Sequence, residues 1–485
     1  MALLLPWLPP PLLLLLLHIL WLTVCFAGTA HIAHAVASDE YLPCEAAVHS
    51  WAIKETEIVD REVQLKSADG LQLRDLLFFL HIPRTGGRTY HQCFLKQLFL
   101  SEERCRISYD KLRFDPSQPS CKIFSTHDDF SIMHKLDQSS TSAVTNLRHP
   151  LDRVLSTYEF SVEVAARFLR FKKGFPGQNP FLHTKSTHLV STLSIWPWKY
   201  LVPFMQRDIF MRRDARLEGH VIHMAPSANT SYDAASIVMS LLEFIHHPVA
   251  HELVHNGAMF QVAGLTNNSF IKEAGLVHKC VERYPQLGHQ VLHVAKRRLD
   301  GMLYVGLTEK QQESASIFLG LMGDQVSGRL EALQQESGKQ NVSAPGQRKT
   351  VQLQDAAQSL WMAYNSCTRN LQDSCSSRRA AALQLIPPII FSKEERKLIP
   401  DAVVEDILSL NSLDLELYEH AQMLYAKQKQ LFLSLNQPQV GDDLELLALL
   451  SISIGISGGT LAIGLVLWTR KRVGKERTPV WRRVC

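Results

Sequence analysis

The sequence predicts an α/β fold, a central parallel sheet layered between helices, with one transmembrane helix near the C-terminal end. Three observations predict it. The short apolar runs Leu76 to Ile82 and Ala143 to Leu147 read as strands buried on both faces, as strands of parallel sheets are. Each run leads through a turn into a helical stripe, Tyr90, Phe94 and Leu98 after the first and Leu151, Val154, Leu155 and Tyr158 after the second. A single uncharged apolar run, 446–468, is long enough as a helix to cross the roughly 30 Å core of a bilayer.

The elements follow in chain order. Residues 1–37 hold no Lys, Arg, Asp or Glu, and a Leu-rich stretch from Leu12 to Phe26 leads to Ala35-Val36-Ala37. That pattern is a signal peptide with a small-residue cleavage site; an uncleaved anchor is the other reading. Residues 38–70 form an amphipathic lead-in, and 71–435 form the folded body. Within the body, 334–354 is poor in apolar residues and reads as a surface loop or linker. Helical patterns follow over 351–370 and 402–435, the latter with Leu410, Leu413, Leu417, Tyr418, Leu424 and Tyr425 at near-helical spacing. Asp442, Asp443 and Glu445 precede the span 446–468, and a basic tail, 469–485, follows it. The positive-inside rule then places the tail in the cytosol and 38–445 in the lumen, a type I plan. Gly455 and Gly459 form a GxxxG pair, a surface through which a dimer could pack.

Composition narrows the function classes. Hydrophobic residues at 46% and charged residues at 20% exclude a wholly disordered chain, and a mean hydropathy of −0.05 excludes a polytopic membrane protein. The formal net charge of +4 is concentrated in the tail, which carries Arg470, Lys471, Arg472, Lys475, Arg477, Arg482 and Arg483 against Glu476. The body is slightly acidic, so net charge does not support nucleic-acid binding. The sequons at Asn229, Asn267 and Asn341 lie on the lumenal side and are expected glycosylation sites. Seven cysteines fall in the lumenal part, where disulfides persist, and an odd number leaves at least one thiol unpaired within the chain. Cys105 with Cys121, and Cys367 with Cys375, are near in sequence and plausible pairs. No CxxC spacing suggests zinc, and no metal is expected.

Three strand ends carry the chemistry. Pro83-Arg84-Thr85-Gly86-Gly87-Arg88-Thr89 follows the first strand, and a strand, Gly loop and helix aim backbone N–H groups at phosphate. It is not a Walker A loop, since GxxxxGK[ST] is absent. Arg148-His149-Pro150 follows the second, with Pro150 suited to a helix start, and Arg148 and Ser156 could both reach a phosphate; a surface salt bridge is the other reading of Arg148. Cys121 to Phe124 reads as a short strand ending in Ser125-Thr126-His127-Asp128-Asp129, and ligands of open α/β sheets bind at such ends.

These segments resemble the sulfotransferases that use 3′-phosphoadenosine 5′-phosphosulfate (PAPS). FLHIPRTGGRTY is similar to the 5′-phosphosulfate loop of the heparan sulfate 2-O- and 6-O-sulfotransferases, with Arg84 where a Lys usually stands. LRHPLDRVLS resembles their 3′-phosphate motif, and FSTHDDF the region of the 6-O enzymes that carries the catalytic His. Tyr304 to Glu309 and Asn411 to Tyr418 resemble later segments, so the likeness spans roughly residues 72–430. With the membrane plan, the chain resembles the tyrosylprotein sulfotransferases of plants, which act in the Golgi on precursors of secreted peptide hormones.

The resemblance implies a P-loop-like sulfotransferase fold and PAPS as co-substrate. It implies binding of the donor by Pro83 to Thr89, Arg148 and Ser156, and catalysis by His127 as base with Arg84 stabilising the leaving group. The expected acceptor is a tyrosine flanked by acidic residues, which calls for a basic groove. Arg207, Arg212, Arg213 and Arg216 are a candidate for it, though such a run also reads as a solvated helix face. The alternatives are a glycan sulfotransferase and an inactive type I receptor that kept the fold.

Overall fold

The computed structural model describes residues 40–64, 70–105, 121–170, 192–219, 230–336 and 348–435. The signal segment 1–37, the span 446–468 with Gly455 and Gly459, the tail 469–485 and the sequons at Asn229 and Asn341 lie outside them. Among the described residues no helix is long and apolar enough to cross a membrane.

Helix α1 covers 40–64. The strands are β1 (Leu76–Leu80), β2 (Ile123–Thr126), β3 (Thr141–Leu147) and β4 (Tyr304–Leu307). They form one parallel sheet in the order β2-β1-β3-β4. Of these strands only Ser125 is even partly exposed, so helices cover both faces as the apolar runs predict. The second strand begins at Ile123, two residues later than its sequence pattern suggests. Between β3 and β4 lie α2 (Pro150–Arg167), α3 (Trp198–Leu217) and the short helices α4 (Leu241–His246), α5 (Pro248–Val254) and α6 (Gly257–Val262). They are followed by α7 (Ala274–Arg283) and α8 (Gly288–Gly301). After β4 come α9 (Gln311–Glu336), α10 (Arg348–Leu383), α11 (Asp401–Leu410) and α12 (Ser412–Leu435).

Several expectations are corrected. The interval 334–354 is helical at both ends, as the end of α9 and the start of α10. The second C-terminal pattern is two helices, because Asn411 turns inward, its Nδ2 donating to Val254 O (2.6 Å) and Ile407 O (2.8 Å). After the glycine loop the chain makes one helical turn at Gly87–Thr89, a π turn at Tyr90–Phe94 and a 3₁₀ turn at Leu95–Leu98. Tyr90, Phe94 and Leu98 are buried as their spacing predicts, and the wide turn also lets Cys93 bond to Cys367. The pairing Cys367–Cys375 is therefore wrong. Both residues lie on α10, where eight residues rise about 12 Å, too far for a disulfide. Among the described residues Cys375 forms no disulfide, while Cys105–Cys121 forms as expected and Cys44 bonds to Cys280.

The buried apolar residues form two clusters. One surrounds the sheet and takes in Val48 and Trp51 of α1, together with parts of α8, α9 and α12. The other lies among α2 to α5, the end of α10 and α11. Arg153 of α2 crosses the seam to Asp414 of α12 at 2.8 Å, both side chains almost wholly buried. Asp414 also accepts the backbone N–H groups of Met259 (2.7 Å) and Ala258 (3.1 Å), so its buried carboxylate is well supplied with donors.

Candidate active site

A cavity of about 1080 Å³ opens where the carboxyl ends of β1, β2 and β3 meet the helical cluster. It gathers Arg84, Gly86, Gly87, Arg88, His127, Arg148 and Ser156 into one space. Pro83, Thr85 and Thr89 are buried behind that lining. The sequon residue Asn267 is exposed on the surface.

Local chemistry shapes the loop. Gly86 has φ of +70°, a left-handed conformation that glycine adopts at little cost. At Gly87 an added Cβ would sit 2.2 Å from the His81 ring, so only glycine lets that imidazole pack there. Arg84 also has positive φ, +68°. Its Nε and Nη2 donate to Ser156 Oγ at 3.0 and 2.8 Å, and its guanidinium lies 4.3 Å from the centre of the Phe160 ring. Arg148 Nη1 donates to Arg84 O at 3.1 Å, which fixes the two arginines side by side. The segment after β4 braces the loop from behind. Thr308 Oγ1 donates to Thr85 O (2.6 Å) and Gln311 Nε2 to Gly86 O (2.8 Å), while Glu309 accepts the His149 N–H (2.9 Å).

His127 follows β2 at its end and its ring lies 4.2 Å from that of His81. Gln261 Nε2 donates to the carbonyls of both, at 3.3 and 3.4 Å. The acids that follow do not face the cavity. Asp128 accepts from Thr126 and Asn268, and Asp129 from Ser131 and Thr266, so both fasten the strand end to the neighbouring loop.

The electrostatics are those of an anion site. Burial, and then the charge of Arg148, pulls Arg84 down to about 10, which still leaves it a cation at neutral pH. Burial, with a further contribution from Arg84, lowers His127 to about 4, so its imidazole is neutral. His81 is held well below its ordinary value by burial and by His127, and His91 falls to about 4 through burial, Lys96 and Arg104.

Sequence reasoning missed the opposite wall. Arg378, Arg379, Lys393 and Arg396 reach the cavity from the end of α10 and the chain beyond it. Glu159 anchors two of them: its carboxylate accepts from Arg396 Nε (2.7 Å), Arg379 Nη2 (2.7 Å) and Tyr232 OH (2.6 Å). Burial pushes Glu159 up, but Arg396 and Arg379 outweigh it and hold it at about 2. The available signal was the pair Arg378-Arg379 and the run Lys393 to Arg396, set either side of the apolar segment Leu385 to Phe391. The run Arg207 to Arg216 lies instead on α3 and does not line the cavity. There Arg212 binds Asp208, Glu243 and Ala235 O, and Arg213 binds Asp214.

A parallel sheet ending in a glycine loop, with arginines and a neutral histidine around one cavity, fits an α/β enzyme of the sulfotransferase fold. No protein-family model matches the chain. It is similar to a protein of Arabidopsis thaliana named protein-tyrosine sulfotransferase, 43% identical over 412 residues, 80% of this chain and 81% of that protein. The chain belongs to the protein-tyrosine sulfotransferase family.

Proposed function

We propose that this protein transfers a sulfuryl group from PAPS to tyrosine hydroxyls of secreted peptide or protein precursors. The observation that carries the reading is that Arg84, His127, Arg148 and Ser156, drawn from three separate strand ends, line one cavity. The donor fits it: Arg148 and Ser156 take the 3′-phosphate by a charge-assisted and a neutral hydrogen bond, and the loop from Arg84 to Thr89 takes the phosphosulfate.

Transfer is in line. The tyrosine oxygen attacks sulfur, the bond from sulfur to the bridging oxygen breaks, and 3′,5′-ADP leaves. The hydroxyl, with an ordinary pKa near 10, gives its proton to His127, which burial keeps neutral and able to accept it. Negative charge grows on the bridging oxygen, where Arg84 stabilises it.

Radiolabelled PAPS offered to an Asp-Tyr peptide and to a sulfate-accepting polysaccharide tests the reading. Label in the peptide alone is expected, label in the polysaccharide alone would make the protein a glycan sulfotransferase, and failure to bind 3′,5′-ADP would leave an inert receptor. His127→Ala is expected to lower kcat by about 10²- to 10⁴-fold and to keep 3′,5′-ADP binding, whereas Arg148→Ala weakens that binding.

We further place the catalytic body in the Golgi lumen on a type I span, on the strength of the segments 1–37 and 446–485. In the full-length protein an endoglycosidase-sensitive mass lost in Asn267→Gln is expected; a cytosolic body would show none.

A further inference from the structure

The cavity continues past His127 on the side away from Arg148. In the sheet order β2-β1-β3-β4, His127 stands beyond the edge strand β2, while Arg148 stands beyond β3, with β1 and the glycine loop between them. The donor-holding groups thus occupy one side of the base. On the other side the wall is built by β2 itself and by the chain after the π turn, which contributes Lys96 and Arg104. Among the described residues the only charge resolved as acting on Lys96 is that of Arg104, which repels it. Arg104 donates its Nε to Phe99 O at 3.0 Å, and the attractive charge acting on it is Glu102. The two cations repel each other and together depress His91 beside them. Like charges held together on the wall of a cavity are stabilised by an incoming anion, and on the function proposed above the donor's phosphates are served by Arg84, Arg148 and Ser156.

We propose that Lys96 and Arg104 form the subsite for a carboxylate that flanks the acceptor tyrosine of a peptide substrate, an inference that rests on the function proposed above. The tyrosine hydroxyl meets His127, and the peptide runs from there along the wall formed by Gln92 and β2 toward the two cations. Lys96 and Arg104 are specificity residues: they select which tyrosines enter, and they do not touch the transferred group.

The test compares two peptides that differ only by Asp-Tyr against Asn-Tyr, in the full-length protein. The wild type is expected to favour Asp-Tyr by about tenfold in kcat/KM, as one charge-assisted contact allows. In the Lys96→Ala Arg104→Ala variant that preference falls to less than about twofold through KM, while binding of 3′,5′-ADP shows that the protein is folded. Lys96→Gln, which keeps most of the stem, gives a second reading, with an intermediate preference. In Lys96→Glu the order reverses, and a Lys-Tyr peptide becomes better than Asp-Tyr. An undiminished Asp-to-Asn preference in both neutralised variants would overturn this inference alone. A wild type that sulfates neither peptide would overturn the function proposed above and this subsite with it.

Discussion

The three disulfides among the described residues all fasten elements packed around the sheet, whereas the helices on the far side of the cavity are fastened by charged hydrogen bonds. Cys44–Cys280 ties α1 to α7, Cys93–Cys367 ties the π turn to α10, and Cys105–Cys121 closes the approach to β2. On the helical side the corresponding fasteners are Glu159 with Arg379 and Arg396, and Asp208 with Arg212. The division follows function. His127, His81 and the glycine loop must stay aligned to a fraction of an ångström for transfer, and they sit in the covalently braced half. Arg379 and Arg396 need only present charge, and they sit in the half held by ion pairs.

Breaking the seam between the halves has the largest expected effect on stability. Asp414→Ala leaves Arg153 buried without its counter-charge, which should cost about 3–5 kcal/mol in urea unfolding. Within the sheet half, Glu55→Ala removes the hydrogen-bonded counter-charge of Arg298 but leaves Glu62 and Asp129 near it, so its cost should be smaller. A cost under about 1 kcal/mol for Asp414→Ala would show that the two halves are joined by apolar packing alone.

Removing a covalent brace comes next. Cys93 and Cys367 are separated by 274 residues, so their bond greatly restricts the unfolded chain. The Cys93→Ala Cys367→Ala protein should lose about 2–5 kcal/mol of unfolding free energy. Kinetics would sharpen the contrast: the π turn carries His91 and Gln92 into the cavity, so turnover should fall more than 3′,5′-ADP affinity.

The same division explains what could be read from the sequence. The sheet half is written in contiguous segments, each an apolar run followed at once by its functional residues, so Arg84, His127 and Arg148 were legible from local pattern. The strands were legible because LLFFL and its neighbours are buried on both faces. The helical half is assembled from residues far apart in the chain. Glu159 meets Arg396 across 237 positions, and nothing local to either residue announces the contact. Cys93 and Cys367 were hidden for the same reason, and proximity in sequence pointed to the wrong partner, Cys375. Asn411 and Asp414 stood out only as part of a family-like segment; their burial against Arg153 is the physical reason those residue types stand there.

A smaller perturbation tests how tightly the sheet half is packed. Gly87→Ala forces a methyl group into the His81 ring, which lies 4.2 Å from the ring of His127. Overpacking of this kind costs about 1–3 kcal/mol. Displacement of the base should lower kcat by roughly 10- to 100-fold, in line with the sensitivity of transfer to misplacements of about 1 Å. Wild-type turnover in that variant would mean the loop yields without moving the histidines.

The pH dependence separates the halves by charge type, with an effect that builds gradually. His127 and His91 sit at about 4 in the folded protein against an ordinary 6.5. Between those values the unfolded chain binds protons that the folded chain excludes, so the share of stability set by these two histidines falls as pH drops from 6.5 toward 4 and is flat above 6.5. Each histidine contributes a slope of about 1.4 kcal/mol per pH unit inside that window. Glu159, held at about 2 against an ordinary 4.5, acts in a lower window: its contribution is full above 4.5 and is lost as pH falls toward 2. Acid should therefore draw on His127 and His91 of the sheet half before it reaches Glu159 of the helical half. Urea unfolding at pH 7.5, 6 and 5 should show the first loss, and His91→Phe should remove one histidine's share of the slope. The kcat/KM profile should carry its acid limb well below pH 6.5, because the free enzyme's base titrates there. Stability unchanged between pH 7.5 and 5 would mean that the histidines are solvated in solution and that the sheet half is less tightly sealed than its disulfides imply.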